Sequence, residues 1–386
     1  MILRIALFTD SFCPQINGVS NTLKELSHYL TRNGHPHLFF APDYEMPGKE
    51  DTGYPAIRFR GAAPRIYPDC RLAFPSLPRI MERLEAFKPD VVHIVTELGI
   101  GLAGLRAARA LNLPVVMSYH TSFDKYLKYY RLQYLSRPLW AYMRWFHSFA
   151  LLNLAPSRST LSDLGRAGMQ DLALWPRGID LKRFNPERAS LDVREALGGT
   201  GKTMFLYVGR IAVEKGLDNL ADSIDKVNAV HGQDILWVFT GEGPYLPELI
   251  ERRIPNAVFT GSREGEELAA IYASADAFIF PSGTETFGNV VLEAMASGLP
   301  VICTNSGGVT DFTEDGRNAL VTPFGDSNAM AEAAIRLLDP RLRAELGSGA
   351  LETARARSWD SVFHNLLSQY QWAANPAWYT EPRITG

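Results

Sequence analysis

Apolar residues along this chain fall into short dense runs, separated by longer stretches in which they recur every three or four positions. A run of four to eight apolar, β-branched or aromatic residues suits a strand buried on both faces, whereas i, i+3, i+4 spacing suits a helix with one buried stripe. "LRIALFT" therefore predicts a strand and "VSNTLKELSHYLTRNG" a helix closed by Gly34. "HLFFAP", "VVHIV", "PVVMSYH" and "FALLNLAPS" predict further strands with helical stretches between them. After residue 200 the alternation restarts with "TMFLYVG", "DILWVFTG", "AVFTG", "AFIFPS" and "PVICT". Such alternation builds a parallel sheet covered by helices on both faces. Two series of it predict an α/β chain of two doubly wound, Rossmann-like domains, each binding ligand at the carboxyl ends of its strands. "PRGIDLKRFNPER", residues 176–188, reads as the hinge, with one domain over 1–185 and a second over 186–359. The segment 360–386, helical at first and rich in tryptophan, is expected to cross back onto the first domain.

Length and composition agree with that layout. At 386 residues the chain exceeds one ordinary core. Hydrophobic content of 46% and charged content of 21% are those of a soluble globular protein. A net charge of −3 gives no push toward nucleic acid. Cys13, Cys70 and Cys303 are odd in number and widely spaced, which fits neither a disulfide framework nor a zinc motif and suits a reducing cytoplasm. The N-terminus "MILRIALFTD" is too short and too soon charged for a signal peptide, and no apolar run reaches the length of a membrane span. Any dealings with a membrane are expected at its surface.

Several stretches carry candidate chemistry. "GGTGKT", 198–203, looks like a phosphate loop, but Ala196 stands where the pattern needs glycine, and the stretch precedes a strand instead of following one. It is read as a turn. "YVGRIAVEKGLDNL" ends a strand at Gly209 and puts Arg210 and Lys215 on the loop that opens the next helix. A guanidinium fork with a mobile ammonium suits a diphosphate, although two solvated loop charges would look the same. In "FTDSFCPQINGVSNT" Gly18 lets backbone approach a phosphate or sugar. "SYHTSFDKY" sets His120 at the end of a buried strand; a lone histidine is more often structural, yet active sites gather at this edge. In "PSGTETFGNVVLEAMASGLPV" Glu285 follows the strand "AFIF", and Glu293 is read as two turns into a helix ending near Gly298 and Pro300. A strand, a loop and a helix N-terminus in that order make an anion site, and two carboxylates beside it suggest that hydroxyls are held as well. There is no Asp-x-Asp, no His-Glu-x-x-His and no Gly-x-Ser-x-Gly, so no catalytic metal is expected.

Taken together, the Gly18 loop, "SYHT", "VGRIAVEKG", "FTG" at 259–261 and the E-x7-E from Glu285 to Glu293 resemble the retaining glycosyltransferases of GT-B fold, family 4, over essentially the whole chain. "IYPDCRLAFPS" and "YHTSFDKYLKYY" are similar to bacterial members that move mannose or glucose-type sugars onto lipids, such as GDP-mannose-dependent mannosyltransferases and sulfoquinovosyl-diacylglycerol synthase. The resemblance implies two domains facing a central cleft. It implies that Glu293 holds the donor ribose and Glu285 the sugar hydroxyls, and that Arg210 and Lys215 carry the diphosphate. Gly18 and the backbone of Phe287, Gly288, Asn289 and Val290 would meet sugar and phosphate oxygens. The segment "TGSR", with Gly261 and Arg263, would receive the base. Tyr67, Arg71, Asp124 and Tyr126 are the implied acceptor residues, and His120 is implied in holding the sugar, not in acting as base.

The chemistry expected from these groups is metal-free. Cleaving a sugar–phosphate bond builds negative charge on the leaving nucleoside diphosphate, which fixed cations stabilise. With no carboxylate left over as a nucleophile, retention implies front-face attack. The donor is expected to be GDP-mannose or a UDP-sugar, and the acceptor a lipid or glycolipid. Residues 123–146 carry five basic groups against one acidic, interleaved with Tyr126, Tyr129, Tyr130, Trp140 and Trp145, a composition suited to an anionic headgroup layer. A packed helix pair with a solvated basic face is the other reading. The expected place is cytoplasmic, peripheral on the inner face of the plasma membrane. A same-fold epimerase or phosphorylase, or a silent sugar-nucleotide-binding protein, is the competing function.

Overall fold

A computed structural model describes residues 1–15, 17–44, 53–62, 72–120 and 133–375. The chain divides into two compact units. One holds the described parts of Met1–Thr121 and Asp360–Gly386 together with Tyr134–Pro176; the other holds Arg177–Trp359.

The first unit contains β1 (Ile5–Phe8), β2 (His37–Pro42), β3 (Ala56–Phe59), β4 (Gly61–Ala62), β5 (Leu72–Ala73), β6 (Val91–Ile94), β7 (Val115–Ser118), β8 (Leu152–Ala155) and β9 (Leu172–Leu174). Seven of these form one sheet in the order β3-β2-β1-β6-β7-β8-β9, every pairing parallel, while β4 and β5 make a small antiparallel pair. Every side chain of β1, β6 and β7 is buried, as a sheet covered on both faces requires. The helix Gly18–Arg32 buries Leu23, Leu26 and Leu30 at helical spacing, each worth roughly 1.5–3 kcal/mol relative to exposure. The helix Gly99–Ala110 lies so close to β1 that a Cβ on Gly104 would stand 2.5 Å from the Phe8 ring. From Asp360 onward the helix Trp359–Ala374 belongs to this unit, with Phe363 against Tyr29 at 5.4 Å between ring centres.

The second unit carries β10 (Thr203–Val208), β11 (Ile235–Thr240), β12 (Ala257–Gly261), β13 (Ala277–Phe280), β14 (Val301–Thr304) and β15 (Ala319–Thr322), all parallel, in the order β12-β11-β10-β13-β14-β15. Its core runs along β10 and β11, where Phe205 stacks on Trp237 at 4.8 Å. Gly198 and Gly201, both at positive φ, lie in the turns before β10, so "GGTGKT" is a turn and cradles nothing after a strand.

The strands missed in the sequence are β3, β9, β15 and the β4–β5 pair. β3 and β9 lie at the two edges of the first sheet and β15 at an edge of the second. An edge strand is paired on one side, and at β3 and β9 it is covered less, so the apolar signal is thin: β9 has three residues, none fully buried, and β3 carries Arg58. β15 buries three of its four residues, and edge exposure does not explain why it was missed. One further correction concerns the helix Asn289–Ala296. Glu293 is its fifth residue, one turn in and not two.

Both sheets reverse direction once. Strand order turns outward from β1 on one side and from β6 on the other in the first unit, and likewise from β10 and β13 in the second. Crevices open at such switch points, beyond the carboxyl ends of the strands.

Candidate active site

In the second unit the loops after β10 and β13 meet at the switch point. Gly216, at φ 72°, ends the short turn Val213–Lys215 and caps the helix Leu217–His231; a Cβ there would lie 2.7 Å from the Pro281 carbonyl oxygen. That closeness lets Lys215 Nζ donate to Glu285 Oε1. Ser282 Oγ donates to the same oxygen at 3.2 Å. The two charged side chains are 14% and 17% exposed, so solvent screens their attraction less than that of a surface pair. Backbone contacts hold the loop from behind: the Gly308 N–H donates to the Glu285 carbonyl at 2.8 Å, and a Cβ on Gly307 would approach that oxygen to 2.6 Å. On the other side Tyr207 Oη donates to the Arg210 carbonyl at 2.9 Å, which fixes the start of the cationic loop.

The helix Asn289–Ala296 begins next to this pair. Gly288 takes φ 96° as its N-cap, no side chain caps the helix, and its first turn holds no acidic residue. Its leading N–H groups are therefore not neutralised by the chain's own carboxylates, and they favour a bound anion. Asn289 Oδ1 is shielded from solvent and has no partner among the described residues, a polar atom set for a ligand. The Phe287 side chain packs against Phe312 at 5.1 Å, so this residue offers a ligand its backbone alone. Val290 packs on the core and its carbonyl accepts from Tyr272 Oη at 3.2 Å. The same hydroxyl donates to Glu293 Oε2 at 3.0 Å. Burial pushes the Glu293 carboxyl up to about 7, against the opposing pull of the Tyr272 hydrogen bond and the Arg183 charge.

Gly209, Gly241 and Gly261 mark the carboxyl ends of β10, β11 and β12. The Gly241 N–H donates to the Gly261 carbonyl at 2.9 Å and the Gly209 N–H to the Thr240 carbonyl at 3.0 Å. A Cβ on Gly241 would stand 2.0 Å from the Gly209 oxygen, so side chains are excluded and the rim is backbone. Arg263 lies beyond this rim in an exposed pair with Glu267 at 3.5 Å, an arrangement worth under about 1 kcal/mol.

In the first unit the loops after β1, β6 and β7 share one sheet edge. His120 lies two residues past β7, with Nε2 2.8 Å from Ser118 Oγ. Ser118 Oγ is 3.0 Å from His93 Nε2, and His93 Nδ1 is 2.6 Å from Tyr370 Oη. Both imidazoles set an edge against Trp175, at 5.5 and 5.3 Å. Gly18 is the first residue of its helix; Asn17 caps it by accepting from the Val19 and Ser20 N–H groups and donates to Ser11 Oγ at 2.8 Å. Tyr67, Arg71, Asp124 and Tyr126 lie outside the described residues.

Sequence reading passed over five residues that shape these loops. Asp10 follows β1 at the switch point, accepting from the Ile100 N–H at 2.9 Å and from Thr96 Oγ1 at 2.7 Å. Burial raises its pKa, and those two hydrogen bonds oppose the rise. Tyr207, Tyr272 and the Gly307–Gly308 pair were given no role from the sequence. Nothing local marks them, because their partners lie elsewhere in the chain. Among the described residues no group of His, Cys, Asp or Glu is placed to hold a metal, and no helix is long and apolar enough to cross a membrane.

Comparison with known proteins shows the family. Residues 16–183 match the model of Glycosyltransferase Family 4, and residues 202–340 that of Glycosyl transferases group 1. A GDP-mannose-dependent alpha-mannosyltransferase of Mycobacterium tuberculosis is 36% identical, over 96% of each chain. The Sulfoquinovosyl transferase SQD2 of Arabidopsis thaliana is 33% identical, over 97% of this chain and 74% of that one. The crystal structure of Anabaena Alr3699/HepE in complex with UDP and glucose superposes with a TM-score of 0.77 over 96% of this chain and 100% of that one, at 19% identity, and so matches in fold. With two parallel-sheet units and relatives of this identity over nearly its full length, the chain belongs to the family 4 glycosyltransferases of GT-B fold, enzymes that transfer sugar from a nucleotide sugar.

Proposed function

We propose that this enzyme moves a hexose of mannose or glucose type from GDP-mannose or a UDP-sugar to a hydroxyl of a lipid or glycolipid, with retention at the anomeric carbon and without a metal ion. The observation that carries the reading is the Lys215–Glu285 pair at the β10/β13 switch point, beside a helix N-terminus that no carboxylate caps. A donor diphosphate bound there would draw Lys215 away from Glu285. The freed carboxylate then accepts from sugar hydroxyls, and the lysine, with Arg210, meets charge developing on the leaving group. Each side chain thus stands in for the other's ligand while the site is empty.

Within the retaining route, front-face attack is favoured over a protein nucleophile by what Glu285 is already doing. Its carboxylate is engaged by Lys215 and Ser282, which suits a hydroxyl acceptor better than an attacking nucleophile. Front-face attack, with a leaving phosphate oxygen taking the acceptor's proton, needs no protein nucleophile. Glu293 holds the ribose, the glycine rim at Gly209, Gly241 and Gly261 admits the base, and His120 hydrogen-bonds an oxygen of the transferred sugar.

A lipid acceptor is supported by the helix Ser136–His147 and the turn before it. Tyr134 and Trp145 are exposed large aromatics, and Arg137 and Arg144 lie on the same segment. Rings and cations together suit a headgroup layer, which would hold the enzyme on the inner face of the membrane. The test is product analysis. Purified protein is given GDP-mannose or UDP-glucose with a detergent-dispersed diacylglycerol lipid, and the anomeric configuration of the product is read from its one-bond C1–H1 coupling by NMR. An α-linked glycolipid supports the reading; inverted product, or transfer solely to soluble sugars, overturns it.

A further inference from the structure

His120 ends a buried hydrogen-bonded chain whose direction can be read from its far end. Tyr370, on the helix Trp359–Ala374, is fully buried, and burial keeps its phenol protonated. Among the described residues its hydroxyl has one polar partner, His93 Nδ1 at 2.6 Å. If His93 Nδ1 carried a proton, it would donate to the phenol oxygen, and the tyrosine O–H would be left without an acceptor in a dry interior. Buried donors are rarely left so. Tyr370 is therefore the donor, and His93 Nδ1 is a lone pair.

The remaining links follow in turn. His93, neutral, carries its proton on Nε2 and donates it to Ser118 Oγ at 3.0 Å. The serine proton then points at the other neighbour, His120 Nε2, at 2.8 Å. His120 Nε2 accepts, so the proton of the neutral ring lies on Nδ1. Trp175, against the edges of both imidazoles, holds the two rings in the orientation this chain needs. All five residues belong to one unit of the structure.

We propose that Tyr370 and His93 are positioning residues that fix His120 as its Nδ1–H tautomer, so that the edge it can turn to a substrate oxygen presents an N–H and not a lone pair. This rests on the reading above in which His120 serves sugar transfer. It gives that reading a cause: with Nε2 committed to Ser118, the ring acts as a hydrogen-bond donor and not as a general base. It also gives the C-terminal helix a part in the chemistry, through a single hydroxyl far along the chain.

The test separates tautomer from activity. Protein labelled with 15N histidine is studied by long-range proton–nitrogen correlation, which distinguishes Nδ1–H from Nε2–H rings, with signals assigned by single substitution. The wild type should show His93 as Nε2–H and His120 as Nδ1–H. Tyr370→Phe removes the terminal donor and should release both rings to the opposite tautomers, lowering kcat/KM at least tenfold while nucleoside diphosphate affinity stays within twofold. His93→Gln places an amide N–H where Nε2 stood, so His120 should keep Nδ1–H and most activity should remain. An Nε2–H His120 in the wild type, or unchanged tautomers in Tyr370→Phe, overturns the relay. Tautomers that switch as stated while turnover is untouched uphold the relay and overturn the part assigned to His120 in transfer.

Discussion

Lys215 Nζ and Glu285 Oε1 are paired although 70 positions separate them in sequence, because β10 and β13 are neighbours in the sheet and their loops leave at the same edge. The pair makes opposite demands on its two members once a donor binds. In the proposed reading the lysine would keep a negative partner, now phosphate, and the glutamate would exchange a cation for neutral hydroxyls.

Lys215→Ala should therefore lower turnover about a hundredfold or more, the scale of losing one charge-stabilising group at a leaving oxygen. Glu285→Gln should also lose turnover, but should bind nucleoside diphosphate as tightly as the wild type or more tightly, since nothing then competes for the lysine. Titration calorimetry with GDP and UDP checks this. Weaker diphosphate binding in Glu285→Gln would remove the exchange from the mechanism.

If Glu293, raised to about 7 by burial, holds the donor ribose as proposed, nucleotide binding should depend on pH. Ribose hydroxyls donate to the ionised form, so sugar-nucleotide affinity should rise from pH 6 to 8 and then level. Glu293→Gln should bind weakly and show no such slope. A sugar nucleotide is the right probe, because its diphosphate does not titrate in this range.

The same shift has a stability consequence of opposite sense. A carboxyl whose folded pKa lies above its unfolded value favours folding fully below the unfolded value, and that contribution is lost as pH rises through about 7. Glu293→Gln should thus be more stable than the wild type at pH 8, by on the order of 1–3 kcal/mol, and the difference should shrink below pH 5. Thermal melts at the two pH values measure it.

Gly241→Ala sets a Cβ 2.0 Å from the Gly209 carbonyl oxygen, and Gly288→Ala sets one 2.5 Å from Val309 at a φ of 96°. Each should cost about 1–3 kcal/mol of stability through backbone strain or crowding. Gly288→Ala should also weaken diphosphate binding, since it reshapes the helix N-terminus. Denaturant midpoints and calorimetry separate the two losses.

If Lys215 and Arg210 supply the positive charge that a metal would otherwise bring, as proposed, activity should persist in excess chelator. Strict dependence on added magnesium or manganese in a radiolabel transfer assay would overturn it.

Binding to anionic liposomes should be measurable at low salt, fall as salt rises, and fall again when Lys125, Lys128 and Arg131 are neutralised together. At about 1 kcal/mol for each basic group near such a surface, three charges amount to a large share of reversible binding. Co-sedimentation decides; no binding at low salt would favour a soluble acceptor.

How much of this was legible in the sequence follows from the range of each interaction. The central strands were readable because a strand covered on both faces must be apolar along its whole length, as "IALF" and "VVHI" are. Arg210, Lys215 and Glu285 could be singled out from the sequence because charged groups beside glycines at strand ends are a local pattern, and Glu293 because it sits one turn into the helix that follows. The edge strands β3 and β9 were not readable, since most of their residues are only half-buried, whereas the edge strand β12 was read from "AVFTG" and β15 was missed although three of its four residues are buried. Tertiary structure alone decided the partners. It set Tyr272 on Glu293, closed the salt bridge between two loops, and drew Tyr370 from the last helix onto His93. The physical reason is that periodicity records which face of a segment is buried, while a hydrogen bond or an ion pair depends on which distant segment fills the other side.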